Sequence, residues 1–313
     1  MTERSLRVAV VGVGHVGRHH ARLLSSLSDV DLVATVDLNQ ERALEAAHGT
    51  SARAETDVKA IEGQVDAVTI AVPTEKHLEI AKPFLEAGVP VLVEKPMASS
   101  VAEADEMLAA AKRSGACLAV GHTERFNPAL AAVSPLVDRP RFIEVHRLGS
   151  FPSRSLDIDV VFDVMIHDLD VILGMLDSDV ASVEAVGVPI LSDRIDIANA
   201  RLRFESGCIA NLTASRISRD RVRKIRFFQS GAYLSVDYAA QAAEAWRLAT
   251  DDEGEPSIEG GKLEVTGGEP LARELADFML AVRHEREPGV TGAQGRRALE
   301  LAERIADRIA EHV

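Results

Sequence analysis

The stretch Arg7-Val-Ala-Val-Val-Gly12-Val-Gly14-His15-Val16-Gly17 decides the fold of the N-terminal part of the chain. Its apolar half is typical of a buried strand, and the residues after Gly17 have helical spacing, so the glycines lie in a strand-to-helix turn. There Gly12 permits a tight bend, Gly14 lets the backbone approach a pyrophosphate, and Gly17 lets helix and strand pack closely. The helix N-terminus, with His15 and Val16 just before it, offers free N–H groups and a positive dipole end to phosphate. The turn predicts a dinucleotide site; a glycine-rich turn without a ligand is the alternative.

Asp37 follows the second predicted strand and lies twenty residues after Gly17. A carboxylate at this place can accept hydrogen bonds from both ribose hydroxyls and would repel a 2′-phosphate. Arg42, the nearest basic residue, lies a helical turn further on. We therefore predict NAD as the cofactor rather than NADP.

Short apolar strands alternate with amphipathic helices up to about His122. The strand-like runs are Leu6–Val11, Leu32–Val36, Ala67–Val72, Val89–Val93 and Leu118–Val120, and the helical runs are Val16–Ser25, Gln40–Ala47, Glu75–Glu86 and Val101–Ser114. The apolar runs lack polar alternation, which suits strands covered on both faces, and the strand–helix order implies a parallel sheet. Residues 1–122 are therefore predicted to form a dinucleotide-binding Rossmann domain.

From about Arg141 the strands lean toward alternation of apolar and polar residues. The predicted strands are Phe142–Arg147, Ala198–Phe204, Ile209–Ser215, Lys224–Gln229 and Tyr233–Tyr238, and two helices, Pro270–His284 and Gly292–His312, close the chain. Glu205-Ser206-Gly207 is a hairpin signal between the second and third of these strands. The segment between Thr250 and Gly268 is predicted to be a surface loop with a short strand. The fold class is α/β, in which residues 123–313 form a second α/β domain with an open, mainly antiparallel sheet.

Length and composition limit the classes of function. The 313 residues suffice for two domains, 46% of them are hydrophobic, and the net charge of -14 disfavours nonspecific binding to nucleic acid or to a membrane surface. No segment has about 18 consecutive apolar residues, and the N-terminus has no long apolar run of a signal peptide. We therefore expect a soluble, cytoplasmic protein.

Cysteines and histidines do not suggest a metal site. Cys117 and Cys208 each lie in an apolar run without a nearby second cysteine, so we expect two free thiols in a reducing compartment. His15, His19 and His20 lack a carboxylate or cysteine at a spacing that would complete a set of ligands. No metal is predicted.

Two turns follow strands at the edge where open α/β sheets bind their ligands. In Val93-Glu94-Lys95-Pro96, the lysine can lose solvent and act as a hydrogen-bond donor or acid, and Glu94 and Lys95 can contact the cofactor. A solvated turn lysine is the alternative. In the turn Val72–His77, the residues Pro73, Thr74 and His77 can lie against the nicotinamide ribose, although His77 can equally be a helix residue with no ligand.

The stretch Asp163-Val-Met-Ile-His167-Asp168-Leu-Asp170 is predicted to be helical. Asp163 and His167 are four residues apart and His167 and Asp170 are three apart, so the three share one face. Histidine titrates near neutral pH and suits proton abstraction from an alcohol, and a carboxylate one turn away can orient its ring. The alternative is that Asp163 caps the helix and His167 is a satisfied core histidine.

Two further features are candidates for binding substrate. Arg125 and Asn127 follow the last predicted strand of the first domain and can reach a substrate cleft. The segment from Arg216, which includes Arg219, to Arg226 has six basic residues in eleven. Arginine pairs well with phosphate oxygens, so this segment can bind a diphosphate; a solvated strand edge protected by charge is the alternative.

The strings GVGHVGRHHARL, VPTEKH, VEKP and DVMIHDLDVIL, with Asp37 and the C-terminal EPLARELADFMLAVRHEREPGVTGAQGRRALELAERI, resemble the Gfo/Idh/MocA oxidoreductases over nearly the whole chain. The resemblance implies a Rossmann domain followed by an α/β domain whose open sheet mediates homodimers or homotetramers. It also implies that Lys95 and His167 are catalytic with Asp163 beside them, and that the Lys95–Pro96 bond is cis.

GHTERFNPAL, DVVFDVMIHDLDVIL and RKIRFFQSGAYLSVDY are similar to the subgroup of this family that acts on nucleotide sugars. That similarity implies NAD-dependent oxidation of the 3-hydroxyl of UDP-N-acetylglucosamine to a keto sugar for amino-sugar synthesis. Three alternatives remain: a polyol dehydrogenase acting on an inositol-like substrate, a relative that eliminates, epimerises or hydrolyses through a transient keto sugar, and a non-catalytic NAD(H) sensor. A sensor needs neither Lys95 nor His167.

Overall fold

The computed structural model describes residues 4–151, 158–250 and 254–311, and the chain divides into two compact units. One unit comprises Met1–His122 and Leu271–Arg296, and the other comprises Thr123–Pro270 and Arg297–Val313. The predicted fold class, a parallel Rossmann sheet plus a mainly antiparallel sheet, is confirmed. None of the described helices is long and apolar enough to span a membrane.

The first unit contains a six-stranded parallel sheet in the order β3-β2-β1-β4-β5-β6. Its strands are β1 Leu6–Val11, β2 Val30–Val36, β3 Arg53–Glu55, β4 Ala67–Ile70, β5 Val91–Glu94 and β6 Leu118–Gly121. Its helices are α1 Gly17–Leu24, α2 Gln40–Ala47, α3 His77–Glu86 and α4 Val101–Ser114. Helix α7 Pro270–Arg283 belongs to the same unit from Leu271 onward. The chain leaves β1 toward β2 on one side and reaches β4 on the other, so the turn after β1 lies at the switch point where such sheets bind ligands.

Helix α7 shows why the first unit includes a late segment of the chain. Leu275, Phe278 and Met279 lie at helical spacing, are buried, and pack in one apolar cluster with Val8 and Leu24. The predicted domains, 1–122 and 123–313, place this helix with the second half, because local sequence periodicity does not indicate which core an amphipathic helix covers. As functional domains those boundaries stay a prediction.

The second unit contains an eight-stranded sheet in the order β14-β13-β12-β11-β7-β10-β9-β8. Its strands are β7 Phe142–Leu148, β8 Val180–Val188, β9 Ile197–Phe204, β10 Ile209–Ser215, β11 Val222–Gln229, β12 Ala232–Asp237, β13 Ala242–Thr250 and β14 Pro256–Lys262. All neighbours are antiparallel except β7 and β10. The predicted hairpin between β9 and β10 is present, and Gly207 takes the left-handed conformation that its turn requires (φ 84°).

One face of this sheet is covered by α5 Pro128–Val133, α6 Ile166–Met175 and the part of α8 Gly292–Ala310 that belongs to the second unit. The core between this face and the helices contains inward-facing side chains, which alternate with outward-facing ones along each strand; examples are Leu202, Phe204 and Phe227. The opposite face is open and polar around Arg201, and it has an aromatic cluster of Phe142, Phe228 and Tyr233 at one end.

Strands β8 and β13 are absent from the sequence-based expectations. β13, AAEAWRLAT, is rich in alanine, which does not favour strands, and in β8, VASVEAVGV, four valines are interspersed with alanine, glutamate and glycine. Pairing with neighbouring strands stabilises both segments. The predicted surface segment between Thr250 and Gly268 contains β14, and residues 251–253 lie outside the described residues. The predicted end of the last helix, His312, also lies outside them.

Candidate functional site

The glycine-rich turn after β1 has the geometry that a bound pyrophosphate requires. Gly12 has φ 82°, and a Cβ there would approach the backbone of Ala71 to 2.7 Å. A Cβ on Gly17 would collide with the carbonyl oxygen of Gly12, whereas one on Gly14 would meet nothing within 4 Å. Gly12 and Gly17 therefore keep α1 close to β1, and Gly14 leaves space in front of the start of the helix. This cradle fits a dinucleotide.

Asp37 is held at the carboxyl end of β2 by two backbone groups. Val13 N–H donates to Oδ2 at 3.0 Å and Asn39 N–H donates to Oδ1 at 2.9 Å. Each carboxylate oxygen has a further lone pair, so both can accept a ribose hydroxyl. The side chain is half-buried beside the glycine-rich turn, which is the position that recognition of a ribose requires.

His77 joins the turns that follow β4 and β5. Its ring is buried, with Nδ1 3.0 Å from the carbonyl oxygen of Pro96 and Nε2 3.0 Å from that of Val72. Burial lowers the pKa of His77, although the two carbonyl groups oppose that shift. This arrangement favours a bracing role over the predicted contact with the cofactor. Pro73 is exposed and Thr74 is half-buried in the same turn, so these two residues are accessible to a ligand.

The Glu-Lys-Pro turn follows β5, next to β4 and β6. The Lys95–Pro96 bond is cis, as the family resemblance implies. Glu94 Oε2 accepts the backbone N–H of Lys95 at 3.2 Å, and the Lys95 side chain is half-buried. The turn lies at the carboxyl edge of the sheet, where the glycine-rich turn after β1 also lies.

In the second unit, the predicted helix around His167 begins with a π-helical turn, Val161–Met165, and continues as α6. Such turns occur frequently at functional sites. Asp163 and His167 are half-buried, whereas Asp170 is buried. The three side chains are therefore not accessible together, as a shared face would require. Asp163 and His167 are accessible to a ligand, and Asp170 contacts Arg125 instead.

An ion-pair network that sequence reasoning missed anchors α6 from below. Arg147 of β7 donates to both oxygens of Asp168, at 2.6 and 2.9 Å, and to Glu124 at 2.8 Å, and its guanidinium carbon lies 5.1 Å from the centre of the Tyr238 ring. Burial opposes the charge of Arg147, but the pairing with Asp168 outweighs it and raises the pKa of the guanidinium. The signal was visible: Arg147 has the same strand parity as the buried Ile143.

The side chains of Arg125 and Asn127 make contacts within the second unit, to which both residues belong. Arg125 Nη1 lies 3.3 Å from the carbonyl oxygen of Asp170, and its guanidinium occupies the space that a Cβ on Gly174 would need. Asn127 is buried; its Oδ1 caps α5 and its Nδ2 donates to the carbonyl oxygen of Tyr238 at 3.1 Å. These contacts favour structural roles for both residues and do not support the predicted substrate contacts.

The two arginines that are predicted to bind a diphosphate, Arg216 and Arg219, lie in different environments. Arg216 is buried, and its nitrogens donate to Asp196 at 2.8 Å, to the carbonyl oxygen of Ile158 at 2.7 Å and to Ser192 at 3.0 Å. Such engagement favours an internal role over binding of a phosphate. Arg219 is exposed, which leaves it available for the predicted role.

Comparison with known proteins places both units in one family. The model of the Gfo/Idh/MocA oxidoreductases with an NAD-binding Rossmann fold matches residues 6–122, and the model of the Gfo/Idh/MocA C-terminal domain matches residues 139–235. UDP-N-acetylglucosamine 3-dehydrogenase of Acidithiobacillus ferrooxidans is 38% identical over 95% of both chains. Myo-inositol 2-dehydrogenase of Thermotoga maritima is 26% identical over 95% of this chain and 94% of the relative.

Solved structures agree with these relationships. The UDP-N-acetylglucosamine 3-dehydrogenase GnnA of Acidithiobacillus ferrooxidans has a TM-score of 0.91 with 34% identity and covers 99% of both chains. A levoglucosan dehydrogenase in complex with NADH and levoglucosan has a TM-score of 0.88 at 19% identity, which shows a likeness of fold alone.

Proposed function

The chain belongs to the Gfo/Idh/MocA family of oxidoreductases, and on that premise we propose that it oxidises the 3-hydroxyl of UDP-N-acetylglucosamine with NAD. The product is a 3-keto nucleotide sugar, which can receive an amino group in amino-sugar synthesis. The observation that favours this substrate is the 38% identity to a UDP-N-acetylglucosamine 3-dehydrogenase, which extends over 95% of both chains. We also propose that the protein works in the cytoplasm.

A polyol such as myo-inositol is the second candidate substrate. An inositol 2-dehydrogenase of Saccharopolyspora erythraea is 34% identical, but over only 58% of this chain. Over nearly the full length, the identity to myo-inositol 2-dehydrogenase of Thermotoga maritima is 26%. We therefore favour the nucleotide sugar over the polyol as the proposed substrate.

NAD, when bound, supplies the acceptor for the hydride that leaves the sugar. The backbone from Gly12 to Gly17, including His15 and Val16, binds the pyrophosphate, and Asp37 binds the adenosine ribose. Because the Asp37 carboxylate is fixed by two backbone N–H groups, it cannot turn away from a 2′-phosphate without losing them, which favours NAD over NADP. Pro73, Thr74 and Glu94 contribute to the nicotinamide side.

His167 removes the proton from the 3-hydroxyl, and Lys95 donates a hydrogen bond to the developing alkoxide. A half-buried imidazole suits the first role because histidine exchanges protons near neutral pH. Asp163, four residues before His167, orients His167 or binds a sugar hydroxyl. Arg219 is the exposed arginine that we assign to the diphosphate.

The open face of the eight-stranded sheet suits association of two or four copies of the chain. Phe142, Phe228 and Tyr233 form an aromatic cluster on this face, and Trp246, the register partner of Tyr233, is 39% exposed. Large aromatic side chains are enriched at interfaces because they bury much area. We therefore include a homodimer or homotetramer in the proposal.

The experiment measures NADH formation with UDP-N-acetylglucosamine, free N-acetylglucosamine and myo-inositol, with a carbonyl trap to draw the oxidation forward. Turnover of the UDP-sugar alone is the expected result. Turnover of myo-inositol alone would show that the substrate is a polyol and not UDP-N-acetylglucosamine. Lys95→Ala and His167→Asn should each lower kcat by roughly 10²- to 10⁴-fold. Lys112→Ala and His48→Asn change exposed residues of the same types and should leave kcat unchanged. Wild-type turnover in both active-site variants would exclude the assigned roles.

A further inference from the structure

Glu94, which begins the Glu-Lys-Pro turn, is fixed from the helix that follows the glycine-rich turn. His20 of α1 is fully buried, and its Nε2 lies 3.0 Å from Oε1 of Glu94. The other oxygen of Glu94 accepts the backbone N–H of Lys95 at 3.2 Å. One carboxylate thus links α1 to the backbone of Lys95, across 74 positions of sequence.

Gly121, the last residue of β6, leaves the space that this carboxylate occupies. A Cβ on Gly121 would approach the carboxyl carbon of Glu94 to 3.0 Å. The carboxylate is therefore enclosed by β6 on one side and by His20 on the other, and only 13% of the Glu94 side chain is exposed. Its position between α1 and β6 is therefore fixed.

The contacts of His20 show which of its ring nitrogens donates to Glu94. Because the Glu94 oxygens accept, Nε2 of His20 carries the proton in this bond. Nδ1 is buried and has no hydrogen-bond partner among the described residues.

The charge of Glu94 depends on its neighbours. Burial raises the pKa of Glu94, but the hydrogen bond from His20 and the charge and N–H of Lys95 outweigh burial and leave the pKa below its usual range. The titratable groups that face it are His20 from α1, Lys95 of the same turn and His77 from α3; β6 contributes the uncharged Gly121. Without the His20 donor, burial would act against the carboxylate with less opposition.

We propose that His20 is a positioning residue for the Glu-Lys-Pro turn: its Nε2–H holds Glu94 in place as an anion, and Glu94 holds the backbone of Lys95. The catalytic part of this inference rests on the proposed role of Lys95 in sugar oxidation. Bonds to a charged group contribute more than neutral ones, so the loss of this donor should be measurable in turnover.

His20→Gln and His20→Asn form a matched pair that tests the bond. The amide nitrogen of glutamine reaches about as far as Nε2, whereas that of asparagine reaches only about as far as Nδ1. We expect His20→Asn to lower kcat for UDP-N-acetylglucosamine roughly ten- to hundred-fold near neutral pH. We expect His20→Gln to retain most of the activity, and His48→Asn, at an exposed histidine, to behave as wild type.

The pH profile separates this role from simple packing. The proposed base His167 must be neutral to accept a proton, so its protonation gives kcat one acidic limb, and loss of the Glu94 anion adds a second limb at lower pH. In His20→Asn the raised pKa of Glu94 should move this second limb to higher pH, because the anionic form supports activity and is lost as pH falls through that pKa. Glu94→Gln cannot ionise and should lack the second limb. Equal activities of His20→Gln and His20→Asn, or an unshifted second limb in His20→Asn, would overturn the proposal.

A measurement without substrate keeps this inference separate from the proposed function. The rate at which acetic anhydride labels Lys95, read by peptide mass spectrometry against the exposed Lys112, reports the position of the turn. It should rise several-fold in His20→Asn and stay near the wild-type rate in His20→Gln. If no sugar is oxidised but this pattern holds, the substrate assignment fails and the positioning role stands; equal rates in all three proteins would exclude the positioning role.

Discussion

Replacing Arg147 with methionine would remove the guanidinium from the network beneath α6 and leave two carboxylates without their shared partner. Arg147 and Asp168 have side chains only 6% and 2% exposed, so water cannot replace the lost bonds. Removing one partner of a buried ion pair costs about 3–5 kcal/mol. For a domain of roughly this size, each kcal/mol lowers Tm by about 2–4 °C, so we expect a fall of roughly 6–20 °C.

The assay is thermal unfolding of Arg147→Met and wild type, followed by calorimetry at about pH 5 and about pH 8. Burial raises the pKa of Asp168 and Arg147 opposes that rise, so in the variant the pKa rises further. A carboxyl group whose pKa is raised by folding contributes stability at low pH that is lost as pH rises through the folded-state pKa. The deficit of the variant should therefore be larger at the higher pH.

Two comparisons make this prediction refutable. Arg308→Met removes an exposed arginine of α8 in the same unit, together with its surface ion pair to Glu311, and should alter the free energy of unfolding by less than about 0.5 kcal/mol. Arg147→Met combined with Asp168→Leu replaces the pair by apolar groups and should recover much of the loss. A deficit for Arg147→Met below about 1 kcal/mol, or one that does not depend on pH, would refute the reasoning, since a buried unpaired charge must cost more than a surface pair.

Three further perturbations test the first unit. Gly17→Ala places a Cβ against the carbonyl oxygen of Gly12, so NADH affinity in a fluorescence titration should fall at least roughly tenfold; unchanged affinity would contradict the close packing of the turn. Asp37→Ser removes the fixed carboxylate and should reduce the preference for NAD over NADP in kcat/KM roughly tenfold or more, whereas an unaltered ratio would mean that another group discriminates. Although burial alone would raise it, bonds from Arg7 lower the pKa of Asp66 from 3.8 to about 2. The stability advantage of wild type over Asp66→Asn in urea unfolding should therefore be present above the ordinary pKa and vanish as pH falls through that window.

Much of the first unit could be predicted because its signals are local. The run before Gly12, the three glycines and Asp37 belong to one strand–turn–helix unit and the strand after it, and each has a geometric reason that short-range spacing expresses. The same holds for the β9–β10 hairpin, whose glycine turn is readable from sequence. Strands β8 and β13 could not be read in this way, because pairing of β8 with β9, and of β13 with β12 and β14, stabilises segments whose local pattern does not indicate a strand.

The candidate site shows the same division. Sequence spacing and family resemblance predict roles for Lys95 and His167, but they do not show that Asn127 caps a helix or that Arg216 donates to Asp196. Those outcomes depend on burial, which decides whether an arginine or an amide faces solvent or the interior. A basic segment has the same local pattern in either case.

By itself, the sequence determined the strand–turn–helix order, the glycine cradle and the carboxylate after β2, because these follow from backbone sterics and hydrophobic periodicity within short windows. Only the tertiary structure decided that His20 reaches Glu94, that Arg147 neutralises Asp168, and that α7 packs in the first unit. Each of these contacts joins residues that are distant along the chain. Their energies come from desolvation and packing, which exist only once the two units have folded.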